Sequence, residues 1–305
     1  MVESSLQRVV VAGGTGLVGQ PLVRALQGLG ARVAVLTRNP QALACPPGAS
    51  AHSWDELATL LEGADTVINL AGEGIADRRW TASRKAAIRD SRIRATAQLV
   101  AGMRACARPP LTLINASAIG YYIPRDEHPV DEGAGPGTGF LAEVCQAWEA
   151  EAAAAEALGV RVALIRIGVV LDRKGGALPK MALPVRWFQG CKLGSGRQGL
   201  SWIHVDDLVA MFIEAVGNPA WSGAFNGTAP EPLSNEAFTR LIARRLGRPM
   251  LPVPGFLTRF ATRLVLGELA EALLLQGAFV LPARAEALGF RFRFPTAEAA
   301  LEDLL

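Results

Sequence analysis

A glycine-rich turn near the start of the chain constrains the fold more than any other feature. The segment "VVVAGGTGLVGQPLVRAL" passes from a β-branched stretch through Gly13, Gly16 and Gly19 into a helical pattern over residues 17–29. In a turn of this kind the first glycine permits the tight bend, the second lets the backbone approach a pyrophosphate, and the third lets the helix pack on the strand. The phosphates then bind at the helix N-terminus. The strand–turn–helix context therefore predicts a dinucleotide site. The expected contact residues in this turn are Gly13, Thr15, Gly16, Leu17, Val18 and Gly19.

Strand-like and helix-like segments alternate through the first two-thirds of the chain. The strand patterns after the first are "RVAVLT", "DTVINLA", "LTLINAS" and "RVALIRIG", and helical patterns cover residues 84–105 and 140–158. Uninterrupted apolar strands separated by helices are typical of a parallel sheet that is covered on both faces. The sequence thus predicts an α/β fold with a Rossmann-type doubly wound parallel sheet.

The composition changes after about residue 170, where Gly and Pro become frequent and the patterned segments become shorter. We therefore expect a dinucleotide-binding Rossmann domain at 1–170 and a smaller α/β substrate-side lobe with a distinctive tail at 171–305. One strand-like segment of this second part, at 224–228, is a candidate to return to the main sheet. The glycine-rich segment 175–201 has the composition of a flexible loop and is a candidate substrate lid.

The end of the second strand indicates which dinucleotide is bound. An NAD site places Asp or Glu there to bind the ribose 2′-hydroxyl, but this chain has Thr37 and then Arg38. A carboxylate would repel a 2′-phosphate, whereas Arg38 can pair with it through two hydrogen bonds. The pattern favours NADP(H) as the cofactor. The alternative is that Arg38 is a solvated loop residue and that the site accepts either dinucleotide.

Other segments are expected near the ribose and nicotinamide half of the cofactor. The motif "NLAG" supplies small residues where the chain passes close to the cofactor. On the next helix Arg92 either faces the cofactor phosphates or belongs to a solvated basic face with Lys85 and Arg89. The expected contacts from these segments and from the end of the sixth strand are Leu70, Ala71, Gly72, Arg92, Gly168 and Val169.

The order of the motifs carries a family resemblance. With "GGTGLVG", "NLAG", Ser117 and Tyr121 after a strand, "RIGVVL" and "WIHVDDL", the chain resembles the extended short-chain dehydrogenase/reductase superfamily of NAD(P)-dependent epimerases, dehydratases and reductases. The segments "SAIGYY", "WEAEA" and "GELAEALLLQGAFVLPARAEALGFRFRFP" are similar to one atypical branch of it. That branch is known as the epimerase family proteins (YfcH-like, cell-division-inhibitor-like), with a C-terminal domain of unknown function. The resemblance covers essentially the whole chain.

The resemblance implies a catalytic pattern from which this chain departs. In the superfamily a serine after the fifth strand polarises the substrate oxygen, and Ser117 matches it. A tyrosine in a YxxxK motif on the next helix acts as acid and base with the help of its lysine. Here that helix reads "GFLAEVCQAWEAEA", and no lysine occurs between Lys85 and Lys174. The positions where Tyr and Lys would fall are Phe140, Leu141, Val144 and Cys145.

Tyr121 and Tyr122 are the only two phenols in the chain. A phenol with the ordinary pKa of ~10 is almost wholly protonated at neutral pH. It can donate a proton to a developing alkoxide but is a poor base for alcohol oxidation. We therefore expect Ser117 and Tyr121 to be the catalytic residues of a reduction. The alternative for Ser117 is a strand-end hydroxyl that caps the backbone.

Several polar residues are predicted to have structural roles. Arg166 is expected to form a structural ion pair, and Cys145 to fill the core rather than reach the site. Asp206 or Asp207 is expected to cap the helix that follows. The apolar segment 256–281 is a candidate intramolecular cover or homodimer face.

Charge and cysteine usage exclude several functions. The net charge of +3 without a Lys/Arg-rich block argues against nucleic acid as a partner. The four cysteines are far apart and lack metal-ligand spacing, so no metal is expected. The most apolar late stretch, 272–283, is too short to cross a bilayer, and we expect a cytoplasmic protein without a membrane partner.

The sequence thus favours an NADP(H)-binding, atypical short-chain oxidoreductase that reduces a carbonyl of a small molecule. The second hypothesis is a catalytically weak or inactive NADP(H)-binding sensor or scaffold, which the family resemblance links to cell division. A nucleotide-sugar epimerase is less favoured because epimerisation requires a competent base. A methyltransferase is disfavoured by Arg38 and the downstream motifs.

Overall fold

The computed structural model describes residues 8–41, 45–124 and 128–305. Its strands are β1 (Arg8–Ala12), β2 (Arg32–Leu36), β3 (Ser50–His52), β4 (Thr66–Asn69), β5 (Thr112–Ala118), β6 (Arg161–Ile167), β7 (Val169–Leu171), β8 (Gly199–Leu200), β9 (Trp202–His204), β10 (Gly223–Gly227) and β11 (Leu233–Ser234). Its α-helices are α1 (Gly19–Gly28), α2 (Leu57–Leu61), α3 (Ala82–Ala105), α4 (Phe140–Ala153), α5 (Leu178–Arg186), α6 (Val205–Gly217), α7 (Asn235–Arg245), α8 (Gly255–Leu266), α9 (Glu268–Ala270), α10 (Ala283–Ala287) and α11 (Ala297–Leu304). Among the described residues, no helix combines the length and apolar content needed to cross a bilayer.

Seven strands form one parallel sheet in the order β10-β6-β5-β4-β1-β2-β3. Strand β1 lies between β4 and β2, with Val9 opposite Val33 of β2 on one side and Thr66 of β4 on the other. The chain moves outward from β1 in one direction and then, from β4, in the other, which creates the crevice where open α/β sheets bind ligands. The predicted doubly wound Rossmann-type α/β fold is confirmed. The strand that the sequence indicates near 224–228 is β10, which pairs with β6.

The two faces of β1 explain its uninterrupted apolar run. Val9 and Val11 pack in one buried cluster with Leu22 of α1 and Phe212 of α6. Val10 lies in a second cluster with Leu99 of α3, on the opposite face of the sheet. Successive side chains of a strand point to opposite faces, so a strand covered by helices on both sides is apolar at every position.

The glycine turn is required by close backbone packing. Gly13 has φ +82°, and a Cβ added there would lie 2.8 Å from the carbonyl carbon and oxygen of Leu70. A Cβ on Gly19 would overlap the carbonyl oxygen of Gly13. The turn is closed by a hydrogen bond of 3.1 Å from the Gly16 N–H to the Gly13 carbonyl. The start of α1 thus rests directly on the end of β1.

The chain after β6 builds a third buried cluster of its own. Leu178, Ala182 and Val185 of α5 pack there with Trp202 and with residues of α7 and α11. The segment 175–201, expected to be a loop, therefore contains the helix α5 with a buried face. Local composition suggested a loop because Gly and Pro are frequent, but Pro is tolerated in the first turn of a helix. The domain boundary at residue 170 stays a prediction.

The prediction that Asp206 or Asp207 caps α6 is wrong. The N-cap is His204, whose Nδ1 accepts a hydrogen bond of 3.1 Å from the Asp206 N–H. The Asp207 carboxylate instead accepts the backbone N–H groups of Arg293 and Phe294 at 2.7 and 2.9 Å. Burial raises the pKa of Asp207. Asp207 therefore fastens the C-terminal tail to α6, a tertiary contact that local sequence does not reveal.

Gly19→Ala tests the contact between α1 and the turn. The added methyl meets the Gly13 carbonyl, and overpacking of this kind destabilises by about 1–3 kcal/mol. Gly28→Ala is the matched control because it lies in the same helix with open space around it, and we expect it to stabilise by about 0.5 kcal/mol. Urea unfolding of the two variants measures both effects. Equal free energies of unfolding for the two variants would contradict the close contact between Gly19 and the Gly13 carbonyl.

Candidate functional site

The carboxyl ends of the parallel strands bring the predicted site segments to one edge of the sheet. The glycine turn follows β1, the "NLAG" motif spans the end of β4, and Tyr121 follows β5. Gly168 follows β6, and its N–H donates a hydrogen bond of 2.9 Å to the Gly227 carbonyl at the end of β10. Segments that are far apart in sequence thus meet around the end of β1.

The N-terminus of α1 lies at this edge without a side-chain cap, since the N-cap Val18 makes no side-chain capping bond. In the first turn the Gln20 N–H already donates to the Gly16 carbonyl at 3.0 Å and Pro21 has no N–H, so an anion at this place would be attracted mainly by the helix dipole. The preceding loop is held by the Gln20 Nε2, which donates to the Thr15 carbonyl at 3.1 Å. Leu17 lies against Gly175 and Gly176, where an added Cβ would meet its side chain. The segment predicted as a lid therefore contacts the glycine turn.

Buried amides set the path of the "NLAG" turn. Asn69 accepts a hydrogen bond of 3.1 Å from the Ala71 N–H and donates to the Asn115 side chain at 2.7 Å and to Thr96 at 2.9 Å. The Leu70 N–H donates to the Ala12 carbonyl at 2.8 Å. This places the motif beside the end of β1. The small residues of this turn are visible in the sequence, but the hydrogen bonds of the asparagines that hold it are not.

Arg92 is directed toward the site rather than toward a solvated face. Its guanidinium is half-buried, and a Cβ added to Gly72 would lie 3.1 Å from the Arg92 Cζ. It also lies over the Trp148 ring at 5.3 Å from the centroid. Burial lowers the pKa of Arg92. The other two residues of the predicted basic face form ion pairs of their own, Lys85 with Glu268 and Arg89 with Asp90.

Arg38 is paired with a carboxylate that the sequence analysis missed. Its Nη1 lies 3.0 Å from Oε1 of Glu73, the residue after "NLAG", and the Arg38 side chain is 86% exposed. The other oxygen of Glu73 lies 3.1 Å from Nη1 of Arg84. The hydrogen bonds from Arg84 and then Arg38 lower the pKa of Glu73. Arg38, Glu73 and Arg84 are too far apart in the sequence for a local pattern to predict that they form this cluster.

A buried ion pair joins α4 to β6 at this edge of the sheet. Glu149 of α4 accepts two hydrogen bonds from Arg166 of β6, at 2.8 Å from Nε and 2.7 Å from Nη2. Ser117 donates its hydroxyl proton to Glu149 Oε1 at 2.6 Å. Arg166 Nη1 also donates a hydrogen bond to the Tyr122 hydroxyl at 2.7 Å, and that hydroxyl donates to Asn226 Oδ1 at 2.9 Å. The expected structural pairing of Arg166 is thus present, as one part of a larger network.

The network distinguishes the two tyrosines. Tyr122 is fully buried, its hydroxyl is used by Arg166 and Asn226, and burial raises its pKa. Tyr121 is half-buried, and its ring lies face-on to the Arg166 guanidinium at 3.5 Å from the centroid. Ser117 is also buried, with its proton directed to Glu149, so its oxygen lone pairs remain for another contact. The proposed catalytic roles of Ser117 and Tyr121 stay predictions.

The positions of the missing YxxxK motif belong to the core. Phe140 meets Trp80 edge to face at a centroid distance of 5.2 Å, and Val144 is buried. The Cys145 thiol contacts the Ala118 carbonyl at 3.6 Å, and burial together with Glu149 raises the pKa of Cys145 to about 12. A thiol with this pKa does not act as a nucleophile at neutral pH. In the parts of the chain that the structure describes, no cluster of His, Cys, Asp and Glu is suited to hold a metal ion.

Removing one half of the buried pair tests its role. Arg166→Met leaves the Glu149 carboxylate buried without its partner, and we expect a loss of about 3–5 kcal/mol in the free energy of unfolding. The double variant Arg166→Met/Glu149→Leu removes both charges and should recover most of that loss. Denaturant unfolding measures both variants. A double variant no more stable than the single one would show that the charge pairing does not dominate the effect.

Two protein-family models match this chain. The model of the NAD dependent epimerase/dehydratase family matches residues 9–226, and a domain of unknown function (DUF1731) matches residues 257–304. The epimerase family protein SDR39U1 homolog of Arabidopsis thaliana, a chloroplastic protein, is 41% identical over 99% of this chain and 88% of its own length.

Two solved structures extend the comparison. The human epimerase family protein SDR39U1 (isoform 2) with NADPH has a TM-score of 0.86 and 32% identity, over 97% of this chain and 98% of its own. A nucleoside-diphosphate sugar epimerase from Corynebacterium glutamicum has a TM-score of 0.78 and 34% identity, over 98% of this chain but only 57% of its own. With its Rossmann-type sheet, glycine turn and matching C-terminal domain, this chain belongs to the NAD dependent epimerase/dehydratase family, among its SDR39U1-like proteins.

Proposed function

We propose that the protein binds NADP(H) and reduces a carbonyl group of a small molecule. The observation that carries the proposal is the pair of arginines on either side of an uncapped helix N-terminus. Arg38 follows β2 on one side of the glycine turn, and Arg92 approaches from α3 on the other. A dinucleotide with a 2′-phosphate brings negative charge to both places. The NADPH present in the human SDR39U1 structure supports the same choice of cofactor.

The residues of this edge fit such a cofactor. The uncapped N-terminus of α1 suits the pyrophosphate through the helix dipole, and Arg38 suits the 2′-phosphate. Close backbone packing at Gly13 and Gly19 leaves no side chain to obstruct this path. The "NLAG" turn, with Leu70, Ala71 and Gly72, and the segment Gly168–Val169 would border the ribose and nicotinamide half. Bound NADPH would supply the hydride.

The protein's own groups support proton donation better than proton removal. Tyr121 is the accessible phenol beside the end of β5, and within the described part of the chain no hydrogen bond occupies its hydroxyl. We assign it the donation of a proton to the developing alkoxide. Ser117 accepts hydrogen bonds while Glu149 holds its proton, so it would orient the substrate or the carboxamide of the cofactor. Arg166 holds the Tyr121 ring from one face.

The second candidate function is an NADP(H)-binding sensor or scaffold with little or no turnover. The observation that favours it is the engagement of Ser117, Glu149, Arg166 and Tyr122 with one another, which leaves Tyr121 alone as an acid. A link to cell division rests on the family resemblance. Epimerisation is less favoured, because it requires a base that this edge does not offer.

Titration with NADPH and NADH tests the choice of cofactor. We expect tighter binding of NADPH, and a loss of about 10- to 100-fold in NADPH affinity for Arg38→Ala, because charge-assisted hydrogen bonds contribute about 1.5–3 kcal/mol. Arg32→Ala is the control, since Arg32 begins the same strand at the opposite edge of the sheet. Equal affinities for both cofactors, unaffected by Arg38→Ala, would contradict NADP(H) selectivity.

NADPH consumption with a panel of aldehydes, ketones and quinones tests the reaction. Tyr121→Phe should lower kcat by about 10²- to 10⁴-fold if its proton is transferred in the rate-determining step. Ser117→Ala should also lower the activity, because the substrate or the cofactor carboxamide would lose the hydroxyl that orients it. Tyr122→Phe removes the neighbouring hydroxyl and should reduce stability while keeping the rate within a few-fold. Tight NADPH binding without turnover of any substrate would favour the sensor.

A further inference from the structure

The Arg38–Glu73 ion pair crosses the dinucleotide crevice. Strands β2 and β4 are the two neighbours of β1 in the sheet. Arg38 follows β2, which ends at Leu36, and Glu73 follows β4, which ends at Asn69. Their side chains meet at 3.0 Å. The pair therefore joins the two sides of the crevice at the carboxyl end of β1, where the glycine turn lies.

The two partners of this ion pair are anchored very differently. Glu73 is held from the protein side, because Arg84 Nη1 pairs with its second oxygen at 3.1 Å and its own N–H donates to Ser91 Oγ at 3.1 Å. The Glu73 side chain is 29% exposed, compared with 86% for Arg38. Arg38 is therefore the partner that can change position, whereas Glu73 remains attached to α3.

The carboxylate competes with the anion that Arg38 is expected to bind. A 2′-phosphate pairs with an arginine through the same N–H groups that a carboxylate uses. While Glu73 occupies Arg38, a phosphate has to displace a carboxylate and then remain near its negative charge. A ligand with a 2′-hydroxyl does not need Arg38 and leaves the ion pair intact.

We propose that Glu73 determines cofactor selectivity as the internal counter-ion of Arg38, which a 2′-phosphate must displace. This inference rests on the proposed binding of NADP(H). It assigns Glu73 a selectivity role without contact to the reacting atoms. Glu73 lowers the affinity for 2′-phosphorylated ligands and leaves the affinity for their 2′-hydroxyl counterparts unchanged.

Calorimetric titration of the full chain with 2′,5′-ADP and 5′-AMP isolates this effect, because the two probes differ only in the 2′-phosphate. Glu73→Gln should bind 2′,5′-ADP about two- to fivefold more tightly, the range expected for an exposed ion pair of about 0.4–1 kcal/mol. Its affinity for 5′-AMP should not change. The control is Asp77→Asn, whose carboxylate lies 3.9 Å from Arg84 and outside the Arg38 pair. It should leave both affinities as they are.

A double-mutant cycle connects the gain to Arg38. In an Arg38→Ala background, Glu73→Gln should no longer increase the affinity for 2′,5′-ADP. Weaker binding of 2′,5′-ADP by Glu73→Gln, or an equal change for both probes, would overturn the inference, because Glu73 would then organise the site generally. If Glu73→Gln does not fold, Glu73→Asp retains a carboxylate for Arg84 but shortens its reach to Arg38. It should increase the affinity for 2′,5′-ADP alone, and no increase would overturn the inference.

The failure of this inference is distinguishable from that of the proposed function. A wild-type protein that binds 5′-AMP as tightly as 2′,5′-ADP, with no effect of Arg38→Ala, overturns NADP(H) binding itself and the inference with it. A wild-type preference for 2′,5′-ADP that is lost in Arg38→Ala but unaffected by Glu73→Gln supports the cofactor and overturns only the role of Glu73.

Discussion

The parallel alignment of the sheet is the constraint on which the rest of the structure depends. Because β4, β1 and β2 are neighbours and run the same way, their carboxyl ends lie side by side, and every segment that leaves them begins at one edge. The glycine turn can use this edge only because Gly13 and Gly19 allow backbone atoms to approach closely. The glycine turn, Arg38 and Glu73 all lie on the chain that follows these strand ends.

At the ends of β5, β6 and β10, a polar network buries an ion pair and satisfies it internally. Burying Glu149 and Arg166 carries a desolvation penalty that only near-complete hydrogen bonding offsets. Ser117, Tyr122 and Asn226 complete that bonding. These residues link β5, α4, β6 and β10, so the network holds the strand ends at fixed separations. The same contacts that satisfy the buried charges therefore also connect the strand ends.

Beside the glycine turn, the Glu73 carboxylate lies among three arginines, and Asp77 lies 3.9 Å from one of them, Arg84. Arg92 is half-buried beside Gly72, Arg84 is paired with Glu73, and Arg38 is exposed. Exposure weakens the Arg38–Glu73 pair through solvent screening, so the pair contributes little to the stability of the fold. The inner pair of Glu73 with Arg84 is less exposed and serves as the fixed part of the cluster. The cluster thus combines a carboxylate held by Arg84 with a largely exposed arginine, Arg38.

Several features were determined by the sequence alone, because each depends on local chemistry. Apolar runs with helices between them specified the doubly wound sheet, and the spacing of Gly13, Gly16 and Gly19 specified the dinucleotide turn. The absence of a lysine near Tyr121 and Tyr122 is also a property of the sequence. Short-range periodicity encodes such features, since the period of a strand or a helix is visible in the residues themselves.

The partners of the charged side chains were decided only by the tertiary structure. Arg38 pairs with Glu73, Glu149 with Arg166, and Asp207 with the backbone at Arg293 and Phe294. Each pair joins residues on different elements, and an ion pair depends on distance in space rather than on separation along the chain. Folding alone determined that Glu73 meets Arg38 across β1 and that Asp207 holds the tail while His204 caps α6.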